Sequence, residues 1–181
     1  MNDEQSHAAG RRIDRIRDAG FIDGLGELSV DGLRERRDEC LAEREYLSLL
    51  RRLVQGRAEI LQAELETRGT DEGDRGWLIE RLSTILSADE HHEASRGEAV
   101  KVGVPEDELL LARRRIERLV ADAGISDPTT LDDERLAAAV ALLSDEEQEV
   151  SAARQGVINV LDTVQDELKR RYKQDPSLAL R

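Results

Sequence analysis

Apolar residues recur every seven positions through two proline-free stretches of the chain: Leu33, Cys40, Leu47, Val54 and Leu61 in the first, and Leu143, Val150, Val157 and Val164, continued by Leu168, in the second. A seven-residue period leaves a narrow apolar stripe on an α-helix, and so narrow a stripe is covered by a second helix laid along it. Composition points the same way. With 39% hydrophobic, 37% charged and 2% aromatic residues, the chain of 181 has few large side chains with which to fill a thick globular core. Its three prolines fall at Pro105, Pro128 and Pro176, outside both stretches, which are rich in the helix formers Leu, Ala, Glu and Arg. The expected fold class is all-α: an elongated antiparallel coiled-coil hairpin of two long helices with additional short helices.

Local signals divide the chain further. Residues 1–28 read as a short N-terminal helix, about His7 to Asp18, and a turn rich in glycine and apolar residues from Gly20 to Gly26. Residues 29–181 form the helical coiled-coil domain, with the first motif helix over 29–67, connecting short helices over 68–131 and the second motif helix over 132–173. Ser29 is suited to cap the first long helix, which at near forty residues would run on the order of 55 Å. In the connection, Trp77-Leu78-Ile79 with Leu82, Ile85 and Leu86 predicts one amphipathic helix, 88–103 predicts a mobile loop, and Glu106 to Ala123 predicts another helix with Pro105 before it and Gly124 closing it.

Beside each apolar stripe lies a strip of polar residues, and the two strips match. Ser48, Arg51 and Glu59 line up with Ser151, Arg154 and Asp162, and in the same register Glu43/Glu146, Val54/Val157, Gln62/Gln165, Glu64/Glu167, Leu65/Leu168 and Arg68/Arg171 also match. An internal duplication explains this. At 100° per residue, Glu147, Ser151, Arg154, Ile158 and Asp162 fall within an arc of roughly 80°, and Arg44, Ser48, Arg51, Gln55 and Glu59 occupy the same arc in the first copy.

Other function classes fit poorly. The net charge of −13, from 40 acidic and 27 basic residues, disfavours direct nucleic-acid binding and suits a basic protein partner or simple solubility. No segment approaches the roughly 20 apolar residues of a membrane span, and the acidic N-terminus lacks the basic start of a signal peptide, so a cytoplasmic protein without membrane contact is expected. The lone cysteine, Cys40, fits a reducing compartment. His7, His91 and His92 are the three histidines, none in a metal-ligand spacing, and no phosphate-cradling glycine loop is present. Neither catalysis nor a metal is expected.

An arginine fork matches the O6 and N7 acceptors of guanine, a carboxylate or glutamine accepts from its N1 and N2 donors, and arginine with serine suits a phosphate. That chemistry alone does not single out a nucleotide. The pattern Glu-x3-Ser-x2-Arg-x3-Gln-x3-Asp, duplicated on two helices, resembles the cyclic di-GMP signature of the RsiG family of anti-sigma factors, as do Arg51-Arg52-Leu53-Val54-Gln55-Gly56-Arg57 and Asp166-Glu167-Leu168-Lys169-Arg170-Arg171-Tyr172. The first copy has Arg44 where the pattern has Glu and Glu59 where it has Asp; the second has Ile158 where it has Gln. The resemblance implies a protein, monomeric before it meets its partner, that binds cyclic di-GMP as a dimer through Arg44, Ser48, Arg51, Gln55, Glu59, Glu147, Ser151, Arg154 and Asp162. The liganded form would sequester the sporulation sigma factor WhiG and block transcription. A scaffolding coiled coil without a nucleotide is the alternative; it accounts for the seams, charge and length but not for polar residues that repeat in register off the seam.

Overall fold

A computed structural model describes residues 11–69, 105–122, 124, 125 and 127–180. Among these residues all regular structure is helical: α1 (Arg12–Arg17), α2 (Val30–Arg68), α3 (Glu106–Asp122) and α4 (Asp133–Gln174), with 3-10 turns at Ala19–Phe21, Leu25–Glu27, Pro128–Thr130 and Pro176–Leu180. The amphipathic helix expected around Trp77 and the loop bearing His91 and His92 lie outside the described residues. No helix among those described is long and apolar enough to cross a membrane.

Helix ends follow from local chemistry. Ser29 accepts the Gly32 amide at 3.1 Å and Asp132 accepts the Arg135 amide at 2.8 Å, so each long helix begins at a side-chain oxygen that satisfies one of its unpaired donors. At the end of α3, Gly124 takes φ +68°, its amide reaches the Ala121 carbonyl at 3.0 Å, and the next amide, from the buried Ile125, reaches Val120 at 3.0 Å. These are the paired bonds of a Schellman ending, which favours glycine at the left-handed position. Positions 7–10 of the helix expected from His7 lie outside the described residues; α1 ends at Arg17, where Asp18 turns extended and its carboxylate accepts the Gly20 amide at 2.8 Å, starting a 3-10 turn in place of another helical residue.

The chain forms two compact units, Met1–Ser48 with Ser151–Arg181 and Leu49–Val150. Within the first, Arg34 Nε donates to the Tyr172 hydroxyl at 3.2 Å and Arg154 Nε donates to Ser48 Oγ at 2.9 Å, so α2 and α4 run antiparallel. Within the second, Gln55 Nε2 meets Glu147 at 3.1 Å and Arg68 meets Asp133 at 3.2 Å, again antiparallel. The fold is an all-α helical hairpin. Every seam residue read from the seven-residue spacing is buried, none more than 4% exposed. Leu50, Leu136 and Leu161 join them and widen the stripe on each helix. Burial, with lesser help from Glu39, pushes the Cys40 thiol up to about 12, which keeps it protonated and unreactive at neutral pH.

The duplication seen in the polar strips governs much of this structure. Arg12 on α1 pairs with Glu43 on α2 at 2.6 Å; Arg115 on α3 pairs with Glu146 on α4 at 2.8 Å. Arg68 is held by Glu64 at 2.9 Å and donates to the Pro128 and Leu131 carbonyls of the turn before α4, while Arg171 is held by Glu167 at 2.7 Å and donates to the Gly26 carbonyl of the turn before α2. Arg170 foremost, and Arg171 after it, hold the Glu167 carboxyl down at about 2. Each copy is therefore a flanking helix, 3-10 structure (two turns in the first copy, one in the second) and a capped long helix. The matching sequence extends to Arg11-Arg12-Ile13-Asp14-Arg15-Ile16 against Arg114-Arg115-Ile116-Glu117-Arg118-Leu119.

Candidate functional site

In the unit formed by Met1–Ser48 and Ser151–Arg181, the strip residues are Arg44, Ser48, Ser151, Arg154, Ile158 and Asp162. Ser48 is the hinge of the cluster. Its hydroxyl donates to the Arg44 carbonyl one turn back at 2.7 Å and accepts from Arg154 Nε at 2.9 Å, so the proton direction of the hydroxyl is fixed and the guanidinium is aimed across the helix pair. Arg44 extends its own guanidinium to the carboxylate of Glu45 at 2.9 Å. Arg154, Ser48, Ser151 and Ile158 are half-buried, and Asp162 is exposed.

In the unit formed by Leu49–Val150, the strip residues are Arg51, Gln55, Glu59 and Glu147. Two donors from α2 converge on one oxygen of α4: Gln55 Nε2 reaches Glu147 Oε1 at 3.1 Å and Arg51 Nη1 reaches it at 3.4 Å. The arginine contact is long and the Arg51 side chain is 39% exposed, which puts this ion pair in the range of about 0–1 kcal/mol. Such a guanidinium exchanges readily for a better oxygen ligand. Glu59 is exposed. Thus the structure brings Ser48 to Arg154 in one unit and Arg51 and Gln55 to Glu147 in the other, and it leaves the two acidic ends of the strips, Glu59 and Asp162, facing solvent.

The residues that fix each strip were not all visible beforehand. Glu43 and Glu146 immediately precede the first strip position of their copies, Arg44 and Glu147, and each is bound by an arginine from a short flanking helix. Glu43 is the deeper of the two, 4% exposed. The signal was present in the register that matches Glu43 with Glu146, but nothing in the sequence marked Arg12 and Arg115 as the partners of these glutamates.

Gly56 and Gly156 lie on the same long helices but outside the arc of the strips, and a Cβ built on either meets nothing within 4 Å. The protein's own packing does not demand glycine there. Replacement by alanine should therefore raise helix stability by about 0.5–1 kcal/mol per site, read as a higher urea midpoint, while lowering affinity for any flat ligand that lies against the backbone. A stability gain with unchanged affinity would show that nothing approaches these glycines.

Comparison with known families finds that residues 20–86 match the family described as RsiG-like. The match includes all of α2 and the first strip, and the second strip lies beyond it. No curated protein matches the chain.

Proposed function

We propose that the protein, whose residues 20–86 match the family described as RsiG-like, is an anti-sigma factor: a cyclic di-GMP-dependent regulator that sequesters the sigma factor WhiG when liganded. The observation that supports this most is the pairing of an arginine with a polar partner across α2 and α4 in each unit, on strips that repeat in register. Each cluster by itself offers a guanidinium fork for guanine O6 and N7 or for a phosphate, and each strip ends in an exposed carboxylate suited to guanine N1 and N2.

The switch would work by linkage. A nucleotide that binds across two antiparallel helices stabilises the conformation in which they are paired, and a partner that recognises that conformation must in turn tighten the nucleotide by the same factor. When nucleotide falls, the sigma factor is released to polymerase. An acidic chain, net −13, is a reasonable mate for a protein whose own surface normally meets DNA.

Calorimetric titration with cyclic di-GMP, with and without the sigma factor, tests the reading. Saturable binding that tightens with the partner is expected, and cyclic di-AMP should compete poorly. Arg154→Ala and Arg51→Ala should each remove a charge-assisted contact worth about 1.5–3 kcal/mol and weaken binding at least tenfold. Binding unchanged in both variants would sink the site assignment. No binding by the intact protein in either condition would return the chain to the class of structural coiled coils, which its buried seams alone also satisfy.

A further inference from the structure

Leu110 and Leu111 are the most exposed large apolar side chains among the described residues, at 46% and 53%. They adjoin each other on α3, whose opposite side is packed: Ala112 and Ile116 are buried, and Arg115 pairs with Glu146 of α4 at 2.8 Å. At 100° per residue, Asp107, Leu110, Leu111, Arg114 and Arg118 share an arc of roughly 100° facing away from Ala112 and Ile116, and all five are exposed. Duplication does not account for the leucines, because the register that matches Glu43 with Glu146 places His7 and Ala8 at the equivalent positions.

The charge of this helix divides at the two leucines. Glu106, Asp107 and Glu108 precede them; Arg113, Arg114, Arg115 and Arg118 follow, with Glu117 the one acid between them. The acidic end suits the positive end of the helix dipole, but the arginines lie mid-helix and the last turn holds no basic residue, so the dipole does not explain them. Neither the Asp107 carboxylate nor the Arg114 guanidinium has an ion-pair partner among the described residues. A face that runs from acid through leucine to arginine is complementary to itself. In an antiparallel pairing of two copies of α3 centred between Leu110 and Leu111, each Leu110 lies level with the partner's Leu111, and each Asp107 with the partner's Arg114. A parallel pairing would set like charges opposite each other.

We propose that this face of α3 is the contact of a two-fold homodimer, in which four leucines form the apolar centre and two aspartate–arginine pairs flank it and fix the direction. The net charge of −13 opposes association at long range, but that repulsion is largely screened beyond about 8 Å at about 0.15 M salt, whereas the flanking pairs act in contact. One face of a 17-residue helix is small beside the roughly 1,200–2,000 Å² of a stable interface, so a dissociation constant on the order of 100 μM is expected. The monomer implied by the family resemblance is then the dilute form. The inference uses neither the nucleotide nor the sigma factor.

Sedimentation equilibrium of the full chain over about 5–500 μM, a range that brackets this constant, should show the average mass rising toward that of the dimer. Asp107→Arg and Arg114→Asp should each weaken self-association tenfold or more, since each puts like charges opposite each other twice per dimer. An equimolar mixture of the two variants should associate at least tenfold more tightly than either alone, because in the mixed dimer every pair is again one arginine against one aspartate. Leu111→Gln should also weaken association tenfold or more, whereas Leu142→Gln, at an exposed leucine of α4, should leave it unchanged. All four positions are exposed, so circular dichroism of the dilute variants should match the unaltered protein. A chain that stays monomeric over the whole range overturns the proposal, whatever other molecule the face binds. A mixture no tighter than its components overturns the pairing of Asp107 with Arg114, and equal effects of Leu111→Gln and Leu142→Gln overturn the assignment to α3.

Discussion

Leu143→Ala is expected to destabilise the protein by about 2–5 kcal/mol, whereas Leu142→Ala, one residue earlier on the same helix, should stay within about 0.5 kcal/mol of the unaltered protein. Leu143 is fully buried and Leu142 is 39% exposed. Both substitutions remove the same atoms from the same helix and change helix propensity alike, so the difference isolates burial: at Leu143 the lost transfer free energy is compounded by a cavity that close-packed neighbours fill only in part. Urea unfolding followed by circular dichroism measures both. Equal midpoints for the two variants would contradict the assignment of the seven-residue seam as the core.

The second large effect is electrostatic and shows a marked asymmetry. Arg12→Ala removes the 2.6 Å partner of Glu43, a side chain 5% exposed, and leaves a carboxylate buried without that cation. Loss of one member of a buried pair costs about 3–5 kcal/mol when the remaining charge cannot escape. Here the Arg12 side chain is 23% exposed and α1 is a six-residue helix, so undocking of α1 caps the penalty, and about 2–3 kcal/mol is the expected loss. Removing both charges, Arg12→Met with Glu43→Leu, should recover most of it, because a well-packed apolar pair lacks the desolvation cost. Hydrogen exchange at Ile16, buried on α1, distinguishes local undocking from global unfolding: faster exchange there with unchanged protection in α4 marks the former. If the single variant is as stable as the unaltered protein, the pair contributes nothing to holding α1 in place.

Much of this protein was legible in its residues. The seven-residue spacing identified the seam, Ser29 and Gly124 marked helix ends, and the repeated serine, arginine and acid identified the strips, because helical periodicity and capping are local properties that a single segment carries whole. The resemblance to the RsiG family, read from those strips, is matched by the family comparison over residues 20–86. The role of the flanking short helices was harder to see. A helix of six residues is too short to be stable in water by itself, so nothing in Arg12-Ile13-Asp14-Arg15-Ile16-Arg17 reveals that it docks, or on which glutamate.

The sequence by itself determined the two long helices, the stripe each must bury and the polar strip beside it, since these depend on spacing along one chain segment. Tertiary structure alone decided which strip residue meets which: that Gln55 and Arg51 share Glu147 and that Arg154 turns to Ser48. Those facts depend on the register of one helix against the other, which is set by how the side chains of both seams interlock and is not encoded in either helix alone.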